Sequence, residues 1–77
     1  MDKQAGPVRV TNRYDSGAVQ STGSMLDGSM HGGWEFFRKD GSVMRTGTFD
    51  RGRQIGVWRT FDRTGRLVKE TNFGGPT

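Results

Sequence analysis

An all-β fold, a single antiparallel meander of about six strands, is predicted by three features of this 77-residue chain. The first is a repeat. Gly32, Trp34, Phe37 and Gly41 of "GGWEFFRKDG" return 24 positions later as Gly56, Trp58, Phe61 and Gly65 of "GVWRTFDRTG". A fixed period of this kind marks one supersecondary unit stated more than once. The second is a set of short runs rich in Val, Thr, Phe and Trp, residues that suit a pleated, half-buried surface. The third is the punctuation between those runs. Clusters of Asp and Gly recur, and no segment carries a stripe of apolar residues at helical spacing.

Taken along the chain, "PVRVTNRY" (residues 7–14) opens the series and "DSG" turns it. "AVQSTGSML" (18–26) follows, then the cluster "DGSMHG" (27–32). "GGWEFFR" (32–38) carries the first tryptophan and ends in "RKDG". "SVMRTGTF" (42–49) restates the 18–26 run, and "DRGRQIG" (50–56) separates it from "GVWRTF" (56–61). After "DRTG", "RLVKETNF" (66–73) restates the same run a third time. Connections this short join antiparallel neighbours, so three hairpins lie side by side. The repeat domain is expected to span 7–73, with tails at 1–6 and 74–77. One offset is visible. Tyr14 stands three residues before Gly17, whereas Phe37 and Phe61 stand four before Gly41 and Gly65, which predicts a first turn one residue shorter.

Alternation assigns the faces. With Met25 set opposite Trp34 and Phe36 opposite Val43, one face collects Val19, Met25, Trp34, Phe36, Val43, Phe49, Trp58, Leu67 and Phe73. Gly23 and Gly47 share it, and each leaves a gap that an indole can cover. Glycine weakens a strand by roughly 0.5–1 kcal/mol, whereas burying a large aromatic returns roughly 1.5–3 kcal/mol, so the pairing favours the fold. The opposite face collects Glu35, Phe37, Met44, Thr46, Arg59, Phe61 and Val68.

The quoted motifs, "YDSG…GSMLDGSMHGGWEFF" followed by "FRKDGSVMRTGTFDRGRQIGVWRTF" and begun again in "FDRTGRLVKETNF", resemble the MORN-repeat variant of the YwqK-type antitoxin proteins of bacteria. The resemblance covers about 60 residues of the chain and two nearly full units. Thr71 departs from it, standing where a third glycine would fall, as do Ser24, Met25 and Gly33, where larger residues are usual. It implies a β-hairpin repeat sheet and an antitoxin-like inhibitor that docks on a protein.

Composition limits the rest. Hydrophobic residues make up 30% of the chain and charged residues 26%, so the core is small. There is no cysteine to form a disulfide or a thiolate metal site. The opening "MDKQAGPVRV" has no apolar h-region, and no apolar run is long enough to span a bilayer, so a cytoplasmic protein is expected. The net charge of +4 is uneven. Residues 1–37 carry three bases and four acids, for −1; residues 38–77 carry nine bases and four acids, for +5.

No constellation of catalytic groups is evident, and an enzyme is not expected. The turn aspartates recur with the repeat and do not converge as an acid–base pair must. His31 is the only histidine, is read as a loop residue, and has no companion at metal-ligand spacing. No cofactor, metal or small-molecule substrate is expected. Trp34 and Trp58 are read as core. A protein partner is expected instead, contacted through Phe37, Phe61, Arg45, Arg59 and Lys69, with Arg45 placed to stack on Trp34. A single sheet with two open edges also suggests a homodimer. The alternative is binding of nucleic acid or anionic phospholipid by the basic half, with Arg51, Arg53 and Arg63 in turns that could reach a phosphate.

Overall fold

A computed structural model describes residues 6–75; of the two expected tails, residues 1–5 and 76–77 lie outside the described residues. Six strands run in chain order through one antiparallel sheet: β1 (Val8–Arg13), β2 (Val19–Leu26), β3 (Ser29–Phe37), β4 (Val43–Asp50), β5 (Arg53–Phe61) and β6 (Leu67–Asn72). The fold is the all-β meander that the repeat predicts. It measures 47 × 33 × 12 Å, the thickness of a single layer. No helix among the described residues is long and apolar enough to cross a membrane.

The two ends of the sheet use different turns. At one end, four-residue turns begin at Tyr14, Arg38 and Asp62, whose carbonyls accept from the N–H of Gly17, Gly41 and Gly65 at 2.9, 2.9 and 3.0 Å. Each glycine has φ between 90° and 96°, which only glycine adopts at no cost. The three turns have one length. The expectation of a shorter first turn is therefore corrected: Tyr14 occupies the place of Arg38 and Asp62, and Arg13 the place of Phe37 and Phe61. At the other end, β2–β3 and β4–β5 are joined by two residues each, Asp27–Gly28 and Arg51–Gly52, all at positive φ. That is the turn whose twist matches a hairpin. The expected loop at 27–32 shrinks accordingly, and His31, read as a loop residue, lies inside β3 opposite Ser24.

The expected cross-strand partners also change. Met25 faces Met30, not Trp34, and Phe36 faces Arg45, not Val43. Two irregularities, each repeated at 24 residues, explain the shift. Beside the four-residue turns, β2, β4 and β6 each carry one extra residue: Gln20, Met44 and Val68. Arg13 thus pairs with Val19, Phe37 with Val43 and Phe61 with Leu67. Such a bulge turns the residues beyond it to the other face. Val19, Val43 and Leu67, expected beside the tryptophans, stand instead with Phe37 and Phe61.

The second irregularity builds the core. Between the pairs Thr22–Glu35 and Ser24–His31, Gly23 alone stands against Gly32, Gly33 and Trp34. Between Thr46–Arg59 and Thr48–Ile55, Gly47 alone stands against Gly56, Val57 and Trp58. β3 and β5 arch here, and each indole folds back over the glycine of the preceding strand. A Cβ on Gly23 or Gly47 would fall within the Trp34 or Trp58 ring, no more than 2.5 Å from three of its atoms. Each ring N–H donates to a carbonyl of the strand beneath, Trp34 to Ser24 at 2.9 Å and Trp58 to Thr48 at 3.2 Å. Trp34 and Trp58 are 2% and 4% exposed, the buried apolar core of the described residues. Phe36, Phe49 and Phe73 extend it. Phe49 meets Trp58 edge-on at 5.0 Å, and Phe36 lies 6.0 Å from Trp34 and 6.1 Å from Trp58. Both tryptophans therefore serve one face, as the glycine spacing predicts.

Candidate interaction faces and edges

A one-layer sheet offers two faces, and the pairing register divides the expected contact residues between them. Cross-strand partners share a face. The row Asn12–Ser21–Phe36–Arg45–Thr60–Lys69 therefore runs on the tryptophan side. Arg45 and Lys69 belong to it, and both are exposed. Arg45, expected to stack on Trp34, stands across from Phe36 instead. The row Thr11–Thr22–Glu35–Thr46–Arg59–Glu70 runs on the back. Arg59 belongs there and is held by Glu70 at 2.8 Å, each side chain about half exposed. An exposed pair of this kind contributes little to stability, about 0–1 kcal/mol, but it fixes where the two charges point.

Phe37 and Phe61 also lie on the back, and the bulges give them a setting that alternation alone does not show. Phe37 lines a cup of about 540 Å³ with Val19, Thr22, Ala18, Gly41, Thr11 and Arg13. Phe61 lines a cup of about 310 Å³ with Val43, Thr46, Gly65 and Glu35. Every residue of the second cup is the residue of the first plus 24, with Glu35 in the place of Thr11. Both phenylalanines are half-buried. The back thus carries a pair of like apolar depressions, the first bordered by Thr11 and Thr22 and the second by Glu35 and Thr46. Arg45 and Lys69 stand on the other face.

The three arginines considered for anions are not brought together. Arg51 lies in the tight turn at one end and Arg53 directly follows it, paired in register with Asp50. Arg63 lies at the opposite end, its Nε 3.0 Å from Asp40. The Asp40 carboxyl is held below the ordinary aspartate value by the Ser42 hydroxyl and N–H, with Arg63 and Arg38 adding attraction. Asp62 is lowered in the same direction, first by the Thr64 hydroxyl and then by the Arg66 and Thr64 N–H groups. Among the described residues, no three of His, Cys, Asp and Glu gather as a metal ion requires.

Two side chains have a structural task that the sequence reading did not assign. The Tyr14 hydroxyl donates to the Phe37 carbonyl at 2.7 Å, and the Arg38 guanidinium donates to the Phe61 carbonyl at 2.6 Å. Tyr14 and Arg38 are 24 residues apart, and so are their acceptors. Each clamps its own turn to the next one. The signal was their shared place at the head of a glycine turn, hidden because a tyrosine and an arginine do not look alike.

Comparison with protein-family models, with curated proteins and with solved structures finds no match to this chain.

Proposed function

We propose that the chain is a non-enzymatic protein-interaction module that docks on a protein partner through the back of its sheet, in the manner of an inhibitor or adaptor. The observation that carries this reading is the pair of Phe37 and Phe61 cups, alike in lining and 24 residues apart. Recognition surfaces gain from aromatic anchors set in an apolar centre with a polar rim. Phe37 and Phe61 supply the anchors, Val19 and Val43 the apolar floor. Thr22, Thr46 and the Arg59–Glu70 pair supply the rim. The likeness of the repeat to the YwqK-type antitoxin proteins supports inhibition as the mode.

The test is capture of a stoichiometric partner from the source cell by wild type, F37S/F61S and R45A/K69A. The back-face variant loses the partner and the variant on the tryptophan face retains it. Tryptophan fluorescence checks that each remains folded. Retention by F37S/F61S overturns the assignment of the face. If wild type instead binds a mixed oligonucleotide or anionic vesicles, binding falls steeply with added salt, and no protein is captured, then anion binding by Arg51, Arg53 and Arg63 replaces this reading.

A further inference from the structure

The two edges of the sheet are surfaces separate from its back. Among the described residues, β1 and β6 each have a neighbour on one side only. Of the five exposed large apolar residues among the described ones, Val8, Leu67, Val68 and Phe73 lie on these edges or directly beyond them, and Val57 does not. Charge or proline usually blunts such an edge. Here the edges carry apolar side chains beside the charges of Arg9, Arg13, Lys69 and Glu70.

The internal repeat states what each edge fits. β1 stands where β3 and β5 stand in their units: Val10 faces Gly23 as Trp34 faces Gly47 and Trp58 faces Thr71. β6 stands where β2 and β4 stand. Strand β5 docks on β4 with Thr60 against Arg45, Arg59 against Thr46 and the Trp58 ring over Gly47. Advancing β4 by 24 gives β6, and moving β5 back by 48 gives β1. Carried between two chains, that register sets Asn12 against Lys69, Thr11 against Glu70 and Val10 at Thr71, with Val8 in the place of Gly56 of the β5 arch. No like charges face each other, and Arg9 stands diagonal to Glu70, with the opposite sign.

The covering pair decides the case. Within the chain, a tryptophan covers a glycine twice. At the two edges, the covering residue is the smaller Val10 and the covered residue the larger Thr71. Where the seat gains a side chain, the lid loses most of one. Thr71 breaks the glycine series on the one repeat strand that no tryptophan of the same chain covers.

We infer that copies of this chain associate head to tail, β1 of one copy pairing with β6 of another so that Val10 covers Thr71. Such a contact uses different surfaces on the two copies, so it does not close at a dimer but extends the sheet.

Sedimentation at two widely separated concentrations, on wild type, V10W, T71G and a mixture of the two variants, tests the inference. Wild type gains mass with concentration and passes beyond a dimer. V10W overfills the seat and weakens association about tenfold or more. T71G leaves the seat underfilled and also weakens it. The mixture recreates a tryptophan over a glycine between chains and associates more tightly than either variant alone. Misfolding cannot produce that gain. A wild-type mass independent of concentration, an assembly that stops at two copies, or a mixture no tighter than its components overturns the inference. Loss of partner capture by F37S/F61S is read separately and does not bear on it.

Discussion

Placing one methyl group at Gly47 probes the unit from which the sheet is built. An alanine Cβ there would lie 2.5 Å from Trp58 Cε3 and closer still to Cδ2 and Cε2. Carbon atoms rest about 3.5–4.0 Å apart, so the ring must leave its seat. The backbone below cannot yield, since Gly47 is also paired with Trp34 in the ladder. Displacing a ring that is 4% exposed forfeits about 2 kcal/mol of burial. The bond from Trp58 Nε1 to the Thr48 carbonyl is worth about 1 kcal/mol, and the edge contacts with Phe49 and Phe73 about 1 kcal/mol more. The strand preference of alanine over glycine restores about 1 kcal/mol. G47A is therefore destabilised by about 3 kcal/mol, a large share of the roughly 4–12 kcal/mol expected for a domain of this length. Urea unfolding followed by tryptophan fluorescence measures it. G33A is the control, since a Cβ on Gly33 meets nothing within 4 Å. In a W58A background the penalty of G47A disappears, because the collision has gone. A G47A variant as stable as wild type, or more stable, would refute the reasoning.

Three further outcomes are expected. Y14F loses the clamp on the Phe37 carbonyl and costs about 1 kcal/mol, read as a fall in Tm of about 4–8 °C. R51N relieves a non-glycine residue held at φ 50° and stabilises by about 0.5 kcal/mol, since asparagine tolerates that region better; the urea midpoint rises. The carboxyls of Asp40 and Asp62 are lowered from 3.8 in the folded chain. Their contribution is therefore fully present above that value and is lost as pH falls through their lower folded values. D40N/D62N flattens this part of the stability profile, and urea midpoints taken across acid pH show it.

The sequence makes the strand count, the antiparallel order and the glycine–indole pairing legible, because these follow from residues whose identity is restricted. Only tryptophan covers and only glycine yields at those positions, so Gly23–Trp34 and Gly47–Trp58 stand out. The register is less legible. A bulge adds one backbone residue, and Gln20, Met44 and Val68 share no side-chain property that marks them. Val19, Val43 and Leu67 consequently cross to the back, and the two cups escape a reading by alternation. Arg45 and Lys69 stand on the face opposite Phe37, Phe61 and Arg59, as alternation already places them, and the bulges change only which residues they meet across the ladder. The clamp residues Tyr14 and Arg38 share a position but not a chemistry, which hides them as well. Thr71, by contrast, is visible as an exception at once, and its meaning comes only from the edge on which it lies.

The α-proton shifts of Gly23 and Gly47 in a nuclear magnetic resonance spectrum report most directly on the repeated seat. A proton beneath an indole face is moved strongly upfield. Gly23 and Gly47 each show one such proton, with through-space contacts to the rings of Trp34 and Trp58 respectively, while Gly33 shows neither. Ordinary glycine shifts at both positions, or ring contacts from Trp34 and Trp58 to opposite faces of the sheet, would contradict a fold built by laying each indole over the strand before it.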